Sequence, residues 1–418
     1  MITFLFILGY IAIVLENSIK INKSASALIT GVLCWTIYSI ENTNKTEVGN
    51  QLMHHLGDIS AILFFLLGAM TVVELIDAHD GFQLITEKIT TKNKRKLLWI
   101  ISLITFFLSA ILDNLTTTIV MVSLLRKLID NREDRLFFVG MVVLAANAGG
   151  AWSPLGDVTT TMLWIGNQVT PLAIITRLFL PSLACLLLPL LVISFYLKGE
   201  VEAPAADETQ TLTTTKRERR LVLAMGLGIL LFVPVFKSIT GLPPFMGMLL
   251  GLGLVWLLTE RIHRGKDIED KDFLSVVYAL RKVDTPSILF FWGILMAIAA
   301  LEATEILTHL ATWLTQTLGN DSLIAFTIGL ASAVVDNVPL VAAAQGMYKL
   351  DVYPTDHYFW EYLAYSTGTG GSILIIGSAA GVAAMGMEKI NFFWYLKRIG
   401  GLALLGYVFG AVVYMCLS

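Results

Sequence analysis

Apolar runs of about 20 residues, the length that carries an α-helix across a bilayer, recur along this chain and confine its charge to the segments between them. No other feature restricts the fold as much. In hydrocarbon every backbone N–H and C=O must be paired inside the protein, and a helix does this within itself. Uninterrupted runs occupy 2–17, 25–40, 57–77 and 172–196 in the first half, and 221–239, 243–260, 285–304 and 398–417 in the second. Only 15% of the 418 residues are charged and 56% are hydrophobic, where a soluble chain carries about 25% charge. The expected class is an all-α polytopic membrane protein. A net charge of −3 gives no sign of a nucleic-acid partner. Cys34, Cys185 and Cys416 fall in apolar spans without metal-ligand spacing and read as small buried hydrophobes. The N-terminus, apolar from Ile2, reads as a first span rather than a cleaved leader.

Four further regions are apolar but interrupted: 97–128 and 136–168, then 321–348 and 357–388. Basic residues set the orientation of the rest. Lys20 and Lys23, the group from Lys88 to Lys96, the stretch 198–220 and the group from Arg261 to Lys271 are placed in the cytoplasm. Segments 41–56, 240–244 and 305–320, poor in Lys and Arg, are placed outside. Region 97–128 is basic at both ends and fits a re-entrant hairpin from the cytoplasmic side. Region 321–348 fits a hairpin from outside, and 136–168 and 357–388 cross with a break in the middle. Each half then has five crossings and one hairpin, so 1–197 and 221–418 are expected to be inverted repeats joined by a cytoplasmic linker, 198–220. Both termini are expected outside.

The interruptions carry the chemistry. SAILDN (109–114) returns as SAVVDN (332–337), and NAGGAWSPLGDVTTT (147–161) is matched by GTGGSILIIGSAAG (368–381) at nearly the same offset. Two matches at nearly one spacing point to an inverted-repeat transporter. Glycine and proline weaken helix interiors by about 1 and 3 kcal/mol. At membrane depth unwound backbone persists only where it is buried in protein or lines a polar cavity. Hard oxygen ligands flank these breaks: Asp113, Asn114, Thr116 and Thr117; Asn147, Asp157, Thr159 and Thr160; Asp336 and Asn337; Ser366, Thr367, Thr369, Ser372 and Ser378. Such oxygens suit small hard cations. Asp113, Asn114, Asp157, Thr159 and Asp336 are the expected sodium ligands. The three acids have no Lys, Arg or His in their own segments, so a cationic substrate is expected. Low dielectric favours the neutral form of a carboxyl group, so protons and Na⁺ would compete for one carboxylate. That competition suffices for antiport if the empty, charged site cannot cross. Asp157 aligns with Ser378, so the first half is expected to hold the main ion.

Blander readings exist for several of these residues. Asp113 or Asp336 could pair with a lysine or cap a half-helix, and Asp157 could cap the helix starting at Val158. Glu74 and Glu302, near span ends, read as interfacial. His54, His55, His79 and His357 are expected in loops, 201–220 as a solvated linker, 267–283 as an amphipathic helix, and Trp152 and Trp292 as packing residues.

At these positions the chain resembles a known family. SAILDNLTTT, AANAGGAWSPLGDVTTT and SAVVDNVPLV look like the NhaD-type sodium/proton antiporters of the ion transporter superfamily, over about residues 57–390. The resemblance implies Na⁺/H⁺ and Li⁺/H⁺ exchange in the bacterial inner membrane. It implies roles for Asp113, Asn114, Asn147, Asp157, Thr159, Thr160, Asp336 and Ser378. It also implies a homodimer in the lipid bilayer, with an elevator-like movement of a part containing both hairpins. Against that family the N-terminus is short, so an upstream segment is expected to be missing or absent. No cofactor is expected beyond the transported Na⁺ or Li⁺ and H⁺. The alternatives are an arsenite or organic-acid carrier on the same scaffold, and an intramembrane enzyme. Carboxylate carriers of the superfamily have a Ser-Asn-Thr motif where Asp-Asn stands here. HExxH, paired GxGD and Ser–His arrangements are absent, so the chain is not expected to be an enzyme.

Overall fold

In the computed structural model the described residues are 1–86, 89, 91–202, 214–264 and 272–417. Among them the chain is helical, and seven helices are long and apolar enough to cross a membrane. It is an all-α polytopic membrane protein.

The first half contains α1 (Ile2–Val14), α2 (Lys23–Glu41), α3 (Lys45–Ala78), α4 (Lys94–Ser109), α5 (Asn114–Leu128), α6 (Arg132–Ala151), α7 (Val158–Ile165) and α8 (Pro171–Tyr196). The second contains α9 (Lys216–Thr240), α10 (Pro244–Ile262), α11 (Thr285–Ala303), α12 (Ile306–Leu318), α13 (Asp321–Ala331), α14 (Asn337–Met347), α15 (Tyr358–Gly370), α16 (Ala379–Glu388) and α17, which runs over Phe392–Leu417 through a π turn at Leu396–Gly400. Each of the four interrupted regions is a pair of helices with a break between them: α4/α5, α6/α7, α13/α14 and α15/α16.

The helices pack as two sets. In one, α2 lies along α11, α1 and α3 flank them, and α9 and α10 close on α3. Gly31 and Gly293 let α2 and α11 meet backbone to backbone; a Cβ on Gly31 would stand 2.5 Å from the Gly293 carbonyl oxygen. In the other set α6 holds α4 and α5, α13 packs on α15, and α8 runs beside α17. Buried tyrosines fasten this second set. Tyr407 Oη donates to Phe326 O at 2.8 Å and Tyr395 Oη to Ser372 O at 2.9 Å.

Corresponding positions of the halves make the same contacts. Gly149 presses on the Phe106 carbonyl of α4, and Gly370 on the Gly329 carbonyl of α13. Ser109 Oγ donates to Ala146 O, and Ser332 Oγ to Thr367 O. At each crossing a side chain on the glycine would push the broken helix off its hairpin.

Several expectations are corrected. Segments 41–56 and 305–320 are largely helical rather than loops. Asn44 caps the N-terminus of α3 by accepting from Glu47 N, so the helix starts well before the apolar run, and α12 carries its apolar residues at helical spacing. His54 and His55 therefore lie on α3. His79 is buried at its C-terminal end, stacked 5.0 Å from His263. The expected linker becomes helical at Lys216, and Arg219 in it is buried; 203–213 lies outside the described residues. Of the helix expected over 267–283, only Val276–Lys282 is seen and 267–271 lies outside the described residues. Cys34 and Cys185 are buried as expected, whereas Cys416 is exposed near the end of α17.

Candidate functional site

Helix starts expose backbone N–H groups that need acceptors. Where broken helices start inside the protein, the acceptors must come from the chain. Asp113 caps α5, Asp157 caps α7, Asp336 caps α14 and Ser378 caps α16, each accepting from a backbone N–H of the first turn. The capping reading of the three acids thus holds. Asp113 sits at φ 131°, a strained conformation for a side-chain-bearing residue, costing about 1–3 kcal/mol.

The side chains then reach across the breaks. Asn114 Nδ2 donates to Asn147 Oδ1 at 3.0 Å and to Asp157 Oδ2 at 3.3 Å. Asn337 Nδ2, from the other hairpin, donates to the same Asp157 oxygen at 3.2 Å. Asn147 Nδ2 donates to Ser372 Oγ at 2.9 Å and Ser378 Oγ at 2.8 Å. One carboxylate, 2% exposed, is therefore held between amides from both hairpins. Among the described residues no basic side chain pairs with Asp157 or Asp113. Such a buried carboxylate is costly unless it takes a proton or a cation.

The other expected ligands divide. Both Asp113 oxygens are taken by Thr116, from its N–H at 2.7 Å and its hydroxyl at 2.8 Å. Thr160 Oγ1 donates to the Asp157 carbonyl. The buried hydroxyls of Thr117, Thr159 and Ser366 have no hydrogen-bond partner among the described residues; Ser366 also packs on Gly329. Thr367 and Thr369 donate to the carbonyls of Leu363 and Tyr365 on their own helix, so their hydroxyls do not join the amide cluster. Trp152 packs against Phe106 and Phe179.

The reading that pairs Asp336 with a lysine holds, and the partner, which reading each segment alone did not identify, comes from another segment. Lys23 Nζ lies 3.3 Å from Asp336 Oδ2. With Asp113, Asn114 and Asp336 it lines a cavity of about 60 Å³ beside the middle of α3, at Phe65, Leu66, Ala69 and Met70. Lys23, Met70, Leu115, Ser287 and Ala379 also line a vestibule of about 380 Å³ that carries Glu16, Glu74, Asp77 and Asp284. A third cavity of about 460 Å³, lined by His54, His55, Asp58 and Glu302, lies at the other end of α3 and shares no residue with the inner one. The inner cavity thus joins the vestibule at the end of α3 where Asp77 lies, the side assigned to the basic loops. Glu302, read as interfacial, pairs with Lys349 at 2.5 Å.

The sequence that builds this site has known relatives. Residues 10–366 match the family described as "Citrate transporter". Over 413 residues the chain is 51% identical to "Sodium/proton antiporter 1" of Arabidopsis thaliana, covering 98% of this chain and 71% of that protein. Over 446 residues it is 31% identical to "Na(+)/H(+) antiporter NhaD" of Vibrio cholerae, covering 99% of this chain and 91% of that protein. The chain belongs to the NhaD-type antiporter family. A second Arabidopsis thaliana protein, "Sodium/proton antiporter 2", is 49% identical over 415 residues, covering 98% of both chains.

Proposed function

We propose that this protein is a secondary active antiporter that exchanges Na⁺ or Li⁺ for H⁺. The observation that carries the proposal is the Asp157 carboxylate, buried between the Asn114 and Asn337 amides with no basic partner among the described residues. A single such group is neutral with a proton or with a monovalent cation, and not with both. The two compete, and each ion's binding releases the other. Asp113, Asp336, Thr159 and the neighbouring amide and hydroxyl oxygens complete a hard-ligand shell. This makes the chain a transporter and not an enzyme, with no resident cofactor.

The correspondence of the Gly149–Phe106 and Gly370–Gly329 contacts, and of the Ser109–Ala146 and Ser332–Thr367 bonds, supports a division into inverted repeats, 1–197 and 221–418, around the linker 198–220. The two helix sets support an elevator-like movement. The set with α4–α8 and α13–α17 carries the site past the set with α1–α3 and α9–α11. The open vestibule on the basic-loop side corresponds to the cytoplasm-facing state, with both termini on the opposite face. A homodimer in the bilayer is part of the same proposal.

A carboxylate or arsenite carrier is the second reading, favoured by the matching citrate-transporter family. Half-helix N-termini suit anionic substrates. Here, however, three of the four N-termini already carry a carboxylate, which would repel an anion. The test is exchange in proteoliposomes holding a pH gradient, with Na⁺, Li⁺, K⁺, arsenite and citrate added in turn. Dissipation by Na⁺ and Li⁺ supports the antiporter. Response to an anion alone, or to none, overturns it.

A further inference from the structure

Lys23 stands where helix physics disfavours it. It is the first residue of α2, and a cation in the first turn opposes the helix dipole. Its backbone is nevertheless held firmly. Asn22 caps the helix, Lys23 N–H donates to Glu16 Oε1 at 3.0 Å, and Ser24 Oγ donates to Pro286 O at 2.6 Å. The ammonium sits 4.3 Å from the centre of the Phe290 ring and 3.3 Å from Asp336 Oδ2. Its side chain is 25% exposed, and that of Asp336 17%.

Three observations converge on it. First, Lys23 lines both the vestibule and the inner cavity, so it stands at the neck an entering cation must pass. Second, it gives Asp336 the positive partner that Asp113 and Asp157 lack among the described residues. Third, α2 belongs to one helix set and Asp336, at the α13/α14 break, to the other, so the pair ties the two sets together.

From this geometry we infer that Lys23 is a tethered competitor of the transported cation: its ammonium holds the Asp336 carboxylate until an entering Na⁺ displaces it, which unties the two helix sets. The inference rests on the antiporter reading. It assigns Lys23 a positioning role exerted through Asp336. Glu16, which accepts from the Lys23 backbone N–H at 3.0 Å, fixes that residue at the helix start.

A competing cation and a merely structural residue predict opposite signs. Without the competitor, Na⁺ no longer has to displace an ammonium, so Lys23→Gln should lower the apparent KM for Na⁺ about three- to tenfold. Its maximal rate should not rise in proportion, because loading and release of the tie are no longer linked. Lys23→Arg should return the KM toward the wild-type value. If Lys23 acts through Asp336, Lys23→Gln should leave the KM unchanged in an Asp336→Asn background.

The experiment is Na⁺-dependent dissipation of a pH gradient in proteoliposomes holding wild type, Lys23→Gln, Lys23→Arg, Asp336→Asn or the double variant. Na⁺-dependent thermal stabilisation of the purified proteins in detergent is measured beside it. If Lys23→Gln reconstitutes poorly, its own Na⁺-stabilisation curve in detergent against wild type decides, and an unshifted midpoint for Na⁺ overturns the inference. An unchanged or raised KM in Lys23→Gln, with wild-type exchange intact, overturns this inference alone. So does an undiminished effect in the Asp336→Asn background. A wild type that ignores Na⁺ and Li⁺ overturns the antiporter reading and this inference with it.

Discussion

Replacing Asp157 by Asn removes a charge and almost no volume. The carboxylate accepts from Thr159 N at 3.2 Å, Asn337 Nδ2 at 3.2 Å and Asn114 Nδ2 at 3.3 Å. The amide keeps one acceptor oxygen and sets an NH₂ against donors that had bonded Oδ2 or Oδ1. Leaving such a buried donor unmet costs about 1–3 kcal/mol, which the helical surroundings can absorb. The larger loss is electrostatic. At an effective dielectric of about 20, a cation about 3 Å from a full negative charge gains roughly 5 kcal/mol, and an amide dipole recovers only part of it. If about half is lost, Na⁺ affinity falls roughly 100-fold, since 1.4 kcal/mol is tenfold. The assay is Na⁺-driven dissipation of a pH gradient in inverted vesicles, with variant and wild type matched for membrane content. Exchange by Asp157→Asn should be indistinguishable from empty vesicles. Exchange at the wild-type KM would refute the assignment of Asp157 as the shared ligand.

Other outcomes follow from the same geometry. Asn147→Ala removes the acceptor of one Asn114 bond and the donor to Ser372 and Ser378, and should raise the KM for Na⁺ about tenfold or more in the vesicle assay. Glu74 lines the vestibule but touches none of the amide cluster, so Glu74→Gln should keep more than about half of wild-type exchange, as expected of a screened steering charge. Gly370→Val would drive a side chain into the Gly329 carbonyl; overpacking of this kind costs about 1–3 kcal/mol, read as a lower midpoint of thermal unfolding in detergent. On the proposed competition of a proton and Na⁺ for one carboxylate, the KM for Na⁺ should rise as pH falls from about 9 to about 6.5, with most of the rate recovered at saturating Na⁺.

Much of the fold was legible because hydrocarbon makes helix breaks conspicuous. Glycine, proline and paired Asp–Asn inside apolar runs marked all four breaks, and their common spacing tied the two halves together. The amide cluster around Asp157 was legible for the same reason, since polar side chains at those depths need partners. Helical ends beyond the apolar runs were not legible. Asn44 and the polar residues Lys45–Leu56 read as a loop because the capping and periodicity of α3 carry no hydropathy signal. Lys23 was hidden by distance. It lies 313 positions from Asp336, and a lysine after a first span reads as an orientation signal. Only packing of α2 along α11 brings it to the hairpin. The dislike of a helix start for a cation was the one local sign that Lys23 is held there by a partner. His79 likewise looked like a loop residue until α3 and α10 were seen to end side by side at His263.

The most direct test of competition at one carboxylate is proton release from purified protein in weakly buffered detergent solution as Na⁺ is added. Na⁺ and Li⁺ should each expel protons in a saturable way, choline should expel none, and Asp157→Asn should be silent. Na⁺ binding without proton release, or release undiminished in Asp157→Asn, would contradict a site shared by the two ions.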